Sequence, residues 1–597
     1  MPRKFFNKEN VRNKVLLTRG LHIFMWITLI AATAISIYRC FYGIEKTDEA
    51  YYVADAITSL HGNYAFAYNF SHAAGMTFVM IPLVWIYELF VPSLAGIFLY
   101  LRICFVFFRL SILIASYFIL RKCMNTISLL MGMLFLMPYY YVIQQFNYNT
   151  VSQWLTILAG VLLYGACIYD SKKRKIAFAC LAGIVETFSV FAHPLSAMGT
   201  IFFCFLLIVF SHKKKSVLMY FVATGIITTL IVSGVIGGLA GFDHLIYGIG
   251  CYLARGTSVG RTSQEKWTQI WSRYGRVWII SVLCLGFIFL CSFLFHLFRH
   301  EKKFRTDICN AVLFSLLVLT LHYFKVSGFE YYTAVYTLGA IFFLMAMVMI
   351  PIAKDDKFYW FMAIPPIIFC LTEIAMTKNS GPTERMYFVF ASFLGLIPPL
   401  YNNISYLKKG VLMLLVLCLT AGQLIINSLY VYRDAPMDEL VYAVKEGIFK
   451  GIYTTEQNAE DIVELETFIH ENTSKEEWIK FMDNVPVGYL FSDGRMCDIR
   501  TWDDMNYTYN KNNPTKMYKY FINRETIPDK LIYVDYGRDE QLSIEDENWK
   551  FNEFVWNFYE FNKEFDLNET FRVKIYLKKQ EVSFEDYLLW AEIKLEG

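Results

Sequence analysis

Two adjacent carboxylates, Asp48 and Glu49, stand in the run Glu45-Lys46-Thr47-Asp48-Glu49-Ala50-Tyr51-Tyr52, just beyond the first long apolar stretch of the chain. A carboxylate pair at the mouth of a membrane helix, leading an amphipathic Tyr-rich segment, suits a general base or a metal-binding site. The same pair equally suits the first turn of the helix it opens, where the backbone dipole favours anions. Positive charge able to receive an anionic group comes later: Arg255, Arg261, Lys266 and Arg273 in the Gly-rich stretch 241–275, and His193 before Pro194 at the end of an apolar run. The bland alternatives are a solvated loop touching lipid headgroups and a helix-end histidine. Asn147-Tyr148-Asn149-Thr150 is a polar turn whose amides can position a hydroxyl or cap a helix that starts at Thr150.

Arg102 and Arg109 fall inside an apolar run, where a charge is costly and usually has a partner. Glu88 and Glu186 are the candidate partners, and ion pairing is favoured over catalysis for both arginines.

The elements that must position these groups follow from composition. Of 597 residues, 56% are hydrophobic and only 18% charged, with mean hydropathy +0.38; an ordinary globular domain carries about 25% charged residues. Lipid is therefore the solvent for most of the chain. The net charge of +3 conceals two opposite parts: residues 1–431 hold 35 basic and 17 acidic side chains, residues 432–597 hold 20 and 35. The basic residues are scattered through short loops, which excludes a nucleic-acid-binding polycation and marks them as topology signals. Of 13 cysteines only Cys497 lies beyond residue 431, and no disulfide framework or zinc spacing is present.

Fourteen apolar runs are candidate helices: 21–41, read as a retained signal anchor, then 74–92, 95–120, 126–144, 150–168, 176–193, 195–211, 216–240, 276–298, 308–323, 331–352, 358–376, 386–400 and 410–431. Basic connectors at Arg121-Lys122, 171–175, 212–215, 299–305 and Lys408-Lys409 alternate with basic-poor ones, which predicts a cytoplasmic N-terminus, an outer first loop at 43–73 and an outer C-terminal region. Parity then favours thirteen crossings. Either the Pro82-interrupted run at 74–92 is partly interfacial, or Arg121-Lys122 violates the charge rule. The sequence predicts a polytopic α-helical membrane module over 1–431 and a soluble C-terminal α/β domain over 432–597. In the latter, helices are expected at 436–450 and 459–471 and strands at 487–491, 530–534 and 571–577.

One apolar helix, an outer Asp48-Glu49-Ala50-Tyr51-Tyr52, the Gly62-Asn63-Tyr64 triplet and a next apolar helix led by Ser71-His72-Ala73-Ala74-Gly75 together resemble the start of the GT-C superfamily of membrane glycosyltransferases. That group includes the protein O-mannosyltransferases and lipid A aminoarabinose transferases. The pattern covers roughly the first 200 residues, and the remainder resembles the superfamily in architecture alone. The resemblance implies inverting transfer of a sugar from a polyprenyl-phosphate donor to an acceptor at the extracytoplasmic face of a multi-pass protein, with a bacterial plasma membrane as the expected location. It makes Asp48 the general base and Glu49 its assistant. Tyr51, Tyr52, His72, His193, Arg255, Arg261 and Lys266 become donor-binding candidates, and Asn147 and Asn149 acceptor-positioning ones. Amides at 147 and 149 stand where some relatives carry an acidic residue, so the expected cofactor is none and metal binding is not supported.

The expected partners are the lipid-linked donor and membrane lipids. The competing class is a transporter or flippase of lipid-linked intermediates, for which two related halves with interrupted helices would be expected and none is evident. A sensor would need cytoplasmic output machinery that the short inner loops lack. The acidic C-terminal region should repel anionic acceptors.

Overall fold

The computed structural model describes residues 8–71, 73–140, 143–210, 215–253, 304–327, 331–376, 388–502, 514–535, 542–567 and 571–596, with short pieces between 262 and 298. His72, Arg255, Arg261 and Arg273 lie outside the described residues, as does most of the 276–298 run.

Backbone amides without water must bond within their own segment, and the apolar runs accordingly form helices. The membrane module contains α1 (Lys8–Arg39), α2 (Asp48–Leu60), α3 (Thr77–Phe90), α4 (Ile97–Leu120), α5 (Thr126–Leu136), α6 (Tyr148–Ile168), α7 (Lys172–Ala192), α8 (Ala197–Phe210), α9 (Lys215–Ala240) and α10 (Phe242–Leu253). It continues with α11 (Phe304–Ser327), α12 (Tyr331–Ala353), α13 (Lys357–Met362), α14 (Ile364–Met376), α15 (Phe393–Asn402) and α16 (Tyr406–Leu429). Among the described residues seven helical segments are long and apolar enough to cross a membrane, with α13 and α14 counting as one. This is compatible with a multi-pass membrane protein.

Several apolar runs yield shorter helices than their length suggests. The run at 126–144 is helical only to Leu136, because Pro138 follows and cannot continue the backbone bonding. The run at 74–92 opens on a 3-10 turn at Ala74–Met76 and gives the 14-residue α3 around Pro82. The Gly-rich stretch 241–275 begins with the helix α10, which packs against the loop between α2 and α3: Tyr68 donates to Ala240 O at 3.2 Å, just before α10, and its ring lies 5.3 Å from the His244 imidazole.

Burial sorts the helices into centre and rim. In the apolar window of α6, 78% of residues are buried, against 17% for α9, whose Ile226, Ile227, Leu230, Ile231 and Val235 form an exposed apolar stripe. α6 is thus the axle of the bundle. Asn147 starts it, its side chain accepting from Thr150 N at 2.9 Å.

The C-terminal region builds a five-stranded sheet from β3 (Trp478–Met482), β4 (Arg495–Met496), β5 (Lys530–Asp535), β6 (Tyr559–Leu567) and β7 (Phe571–Lys578), after a two-residue ribbon of β1 (Tyr442–Ala443) and β2 (Tyr453–Thr454). The order is β4-β3-β5-β7-β6, parallel across β4, β3 and β5 and antiparallel beyond. The predicted strands at 530–534 and 571–577 correspond to β5 and β7, and the helix at 459–471 to Glu456–Glu471. Two expectations are corrected. Residues 436–450 form a 3-10 turn and β1 rather than a helix, because Gly447 takes φ +70° and residues 443 and 453 must pair. Residues 487–491 hold the short helix Gly488–Phe491 rather than a strand; its Tyr489 hydroxyl accepts from Phe481 N at 3.0 Å, against the sheet.

This domain is not a loose appendage. It clamps α2, which is buried from Glu49 to Ser59, between the helical bundle and the sheet. Phe70 N donates to Ile499 O at 2.8 Å, and Thr501 Oγ1 donates to Asp55 Oδ1 at 2.8 Å and to Tyr51 O at 3.2 Å. Asn69 Nδ2 donates to the same Asp55 oxygen at 2.9 Å, while Oδ2 is buried with no partner.

Burial pushes the Asp55 carboxyl up to about 6, with the Thr501 and Asn69 hydrogen bonds pulling the other way. A folded-state pKa above the unfolded one means that Asp55 stabilises the junction fully below the ordinary carboxylate range, near 4, and loses that contribution as pH rises through about 6. Thermal unfolding followed at pH 5 and pH 8 should therefore show a larger loss on alkalinisation for the wild type than for Asp55→Asn. Equal losses would mean that the junction does not sense this group.

Candidate functional site

Short range decides where Asp48 and Glu49 go. They open α2, but the group that satisfies the helix's first amides is Glu45: its Oε1 accepts from Thr47 N at 3.1 Å and its Oε2 from Glu49 N at 2.5 Å. Glu45 also accepts from the Thr47 hydroxyl and lies 3.3 Å from Arg433 Nη1. Burial first, and the charge of Asp48 second, push the Glu45 carboxyl up to about 7. With Glu45 taking the capping role, the two following carboxylates are free for other partners.

They diverge at once. Glu49, only 1% exposed, turns inward and is gripped by the Arg102 guanidinium of α4 at 2.6 Å (Nε to Oε1) and 2.5 Å (Nη2 to Oε2). Arg102 spends its remaining donors on Cys40 O at 3.0 Å and Gly43 O at 2.8 Å, tying the loop between α1 and α2 to the bundle. The sequence-based partners of Arg102 are thereby replaced: Glu88 pairs with His61 at 3.0 Å and Glu186 accepts from Thr200 at 2.8 Å. The bidentate geometry explains the choice, since two parallel charge-assisted bonds surpass any single contact. Arg109 has a different solution, donating to Met137 O at 2.9 Å and Tyr139 O at 3.1 Å beneath the rings of Phe105 and Tyr140. Glu49 accordingly anchors α2 and is not placed to assist chemistry at Asp48 directly.

Asp48 turns outward, with its side chain 29% exposed. Two polar groups reach it from the segment that follows α16: the Tyr432 hydroxyl donates to Oδ2 at 2.5 Å, and Arg433 Nη2 lies 3.4 Å from the same oxygen. That segment is pressed onto the loop at Gly43, which has φ +84° and no room for a Cβ against Val431. Asp434 completes the seam by accepting from Ile44 N at 2.7 Å and Thr454 Oγ1 at 2.8 Å. A small cavity of about 20 Å³, room for one water, lies behind these groups between Arg39, Glu45, Glu49, Arg102, Gln144 and Tyr432.

A row of rings leads away from Asp48. Tyr52, one turn further along α2, is close enough that burial, Tyr148 and the Asp48 charge raise its phenol above the ordinary value. Its ring lies 6.2 Å from Tyr148, and Tyr148 lies 5.0 Å from the His193 imidazole, tilted 32° to it. His193 is buried at the end of α7 with Nε2 2.9 Å from Glu373 Oε1 and with Nδ1 lacking a partner. Lys266 comes to the same place, Nζ donating to Ile374 O at 2.9 Å, one residue beyond Glu373. Asn149 is buried in the turn beside Tyr148 with Oδ1 unpartnered, whereas the Asn147 side chain is consumed by capping α6. Tyr51 departs from the row: its hydroxyl meets Ser71 and its ring packs against Trp502 of the C-terminal domain.

The fold thus brings Asp48, Tyr52, Tyr148, Asn149, His193 and Lys266 to one end of the bundle. Glu45, Glu373, Tyr432 and Arg433 join them without having been candidates. Glu45 lies only three residues before Asp48 and carried a local signal. Tyr432 and Arg433 follow the last apolar run, nearly four hundred residues away, and no spacing in the sequence connects them to Asp48. Among the described residues no group of three or more His, Cys, Asp or Glu side chains is arranged to hold a metal ion. In comparisons with family models, curated proteins and solved structures, the chain matches none.

Proposed function

We propose that the protein is a membrane glycosyltransferase of the GT-C type, with about thirteen crossings and the α2 end of the bundle on the extracytoplasmic side. On this reading it transfers a sugar from a polyprenyl-phosphate donor to an acceptor hydroxyl. The observation that carries the reading is the separation of roles within one helical turn. Glu45 caps, Glu49 anchors, and Asp48 alone is left partly exposed, oriented as a hydrogen-bond acceptor and adjacent to a row of rings that ends at a histidine.

In this reaction Asp48 takes the proton from the acceptor hydroxyl while that oxygen attacks the anomeric carbon. The bond from that carbon to the phosphate oxygen breaks, and its electron pair leaves with the polyprenyl phosphate, so the configuration inverts. Phosphate is a competent leaving group, and the remaining task is alignment with charge neutralisation. Lys266 supplies that positive end, beside the buried imidazole of His193, whose Nε2 lies 2.9 Å from Glu373 Oε1. Tyr52 and Tyr148 offer apolar faces against which a sugar ring can lie. The acidic C-terminal domain over the site disfavours an anionic acceptor.

Lipid extracted from protein purified in mild detergent tests the donor class. Mass spectrometry is expected to find a polyprenyl phosphate or its sugar ester at near-stoichiometric level, and extracts holding only bulk phospholipid would overturn the assignment.

A further inference from the structure

Asp48 must accept a proton from an incoming hydroxyl, yet its Oδ2 already accepts a hydrogen bond from the Tyr432 hydroxyl at 2.5 Å. We propose that the segment 431–434 is a latch on the candidate catalytic carboxylate: the Tyr432 hydroxyl occupies the place of the acceptor's hydroxyl on Asp48, and Arg433 is a positioning residue that holds the carboxylate toward it. The inference rests on the role assigned to Asp48 above and adds to it a resting state that the acceptor must displace.

The geometry confines the movement to the Tyr432 side chain, with Arg433 held in place. The backbone is pinned before the latch by Val431 packed onto Gly43, and behind it by Asp434, which receives hydrogen bonds from Ile44 N and Thr454 Oγ1. Upstream, Arg39 donates to Asn427 O at 2.7 Å and Tyr430 O at 3.1 Å, and the Tyr430 ring stacks on Tyr331 at 4.8 Å. Arg433 itself sits at φ +54°, a left-handed conformation that is strained for a non-glycine residue and persists only where neighbours over-determine it. Those neighbours are Glu45, Thr47 and Asp48, all engaged by the one guanidinium. Tyr432 is partly exposed, so its ring can rotate outward while the chain stays seated.

The latch also bears on specificity. An acceptor that replaces Tyr432 meets the Arg433 guanidinium beside the same carboxylate oxygen, which penalises a cationic group, while the acidic outer domain penalises an anionic one. The two fields together favour a neutral alcohol.

The test reads occlusion without turnover. Full-length protein in detergent is treated with a water-soluble carbodiimide and glycine ethyl ester, and amide formation is localised by fragmentation to Asp48, Glu45 or Glu49. Tyr432→Phe and Tyr432→Ala are expected to raise the labelling rate at Asp48 by about tenfold, the effect of losing one hydrogen bond to a charged group, with exposed Glu560 as an unchanged control. Equal labelling of Asp48 in the wild type and both variants would overturn the latch. Because no donor is needed, retention of sugar transfer by Asp48→Asn would remove the enzymatic reading while leaving this result standing.

Discussion

Asp48→Asn is expected to lower sugar transfer by about two to four orders of magnitude, the range that a positioned general base supplies. The amide keeps the shape of the side chain and its ability to accept from Tyr432, but it cannot take up a proton at any working pH. Stability should barely move. The carboxylate is part-exposed, its contact with Arg433 Nη2 spans 3.4 Å, and exposed pairs of this kind contribute about 1 kcal/mol or less. Reconstituted protein supplied with a polyprenyl-phosphate sugar gives the rate, and fluorescence-detected melting gives the stability. Undiminished transfer by a normally folded Asp48→Asn protein would exclude this residue as the base.

The second large effect concerns Glu49, one residue away and opposite in character. Arg102→Met should destabilise the protein by about 3 to 5 kcal/mol, since it strands a buried carboxylate in a low-dielectric interior. It also leaves the carbonyls of Cys40 and Gly43 without their donor. Glu49→Gln strands the guanidinium, though those same carbonyls still solvate it, so its cost should be smaller. The double variant Glu49→Gln, Arg102→Met should cost less than the two single changes added together, because the pair no longer contains an uncompensated charge. Melting temperatures of the four proteins close the cycle. Strict additivity would show that the two groups do not depend on each other, and would undercut the anchoring role given to Glu49. Loss of this anchor should also reduce transfer, through displacement of α2 rather than through chemistry.

The contrast between positions 48 and 49 shows how far local reading extends. The sequence placed a carboxylate pair at the start of an amphipathic helix, and both the capping and the chemical readings of that pair were sound physics. Glu45 absorbs the capping role because it lies three residues upstream with its oxygens over the first free amides. Glu49 points to Arg102 because a helix rotates successive side chains by about 100°, which separates neighbours into different faces. A one-dimensional pattern cannot say which face meets the bundle. The same limit explains Arg102: Glu88 and Glu186 also lie in apolar runs, but the bidentate partner is Glu49 of α2, outside those runs.

Elsewhere the departures have local causes that only pairing and packing reveal. Residues 436–450 carry a helical apolar spacing, yet the left-handed Gly447 and the pairing with Tyr453 turn them into a ribbon. Residues 487–491 are apolar and strand-like, but they sit where the chain must leave β3 and return for β4, and a short helix makes that crossover.

What the amino-acid sequence alone determined is the character of each part: apolar composition commits most of residues 18–429 to apolar helices, compatible with a multi-pass membrane protein, and sets the acidic tail apart from them, because the transfer free energy of a side chain is local and additive. The assembly of Asp48, Tyr52, Tyr148 and His193 at one end of the bundle, and the arrival of Tyr432 and Arg433 from the far side of the chain, was decided by tertiary structure. Helix rotation and the seating of the C-terminal domain on Gly43 and Asp55 depend on which surfaces interlock, and shape complementarity between distant segments leaves no periodic trace in the order of the residues.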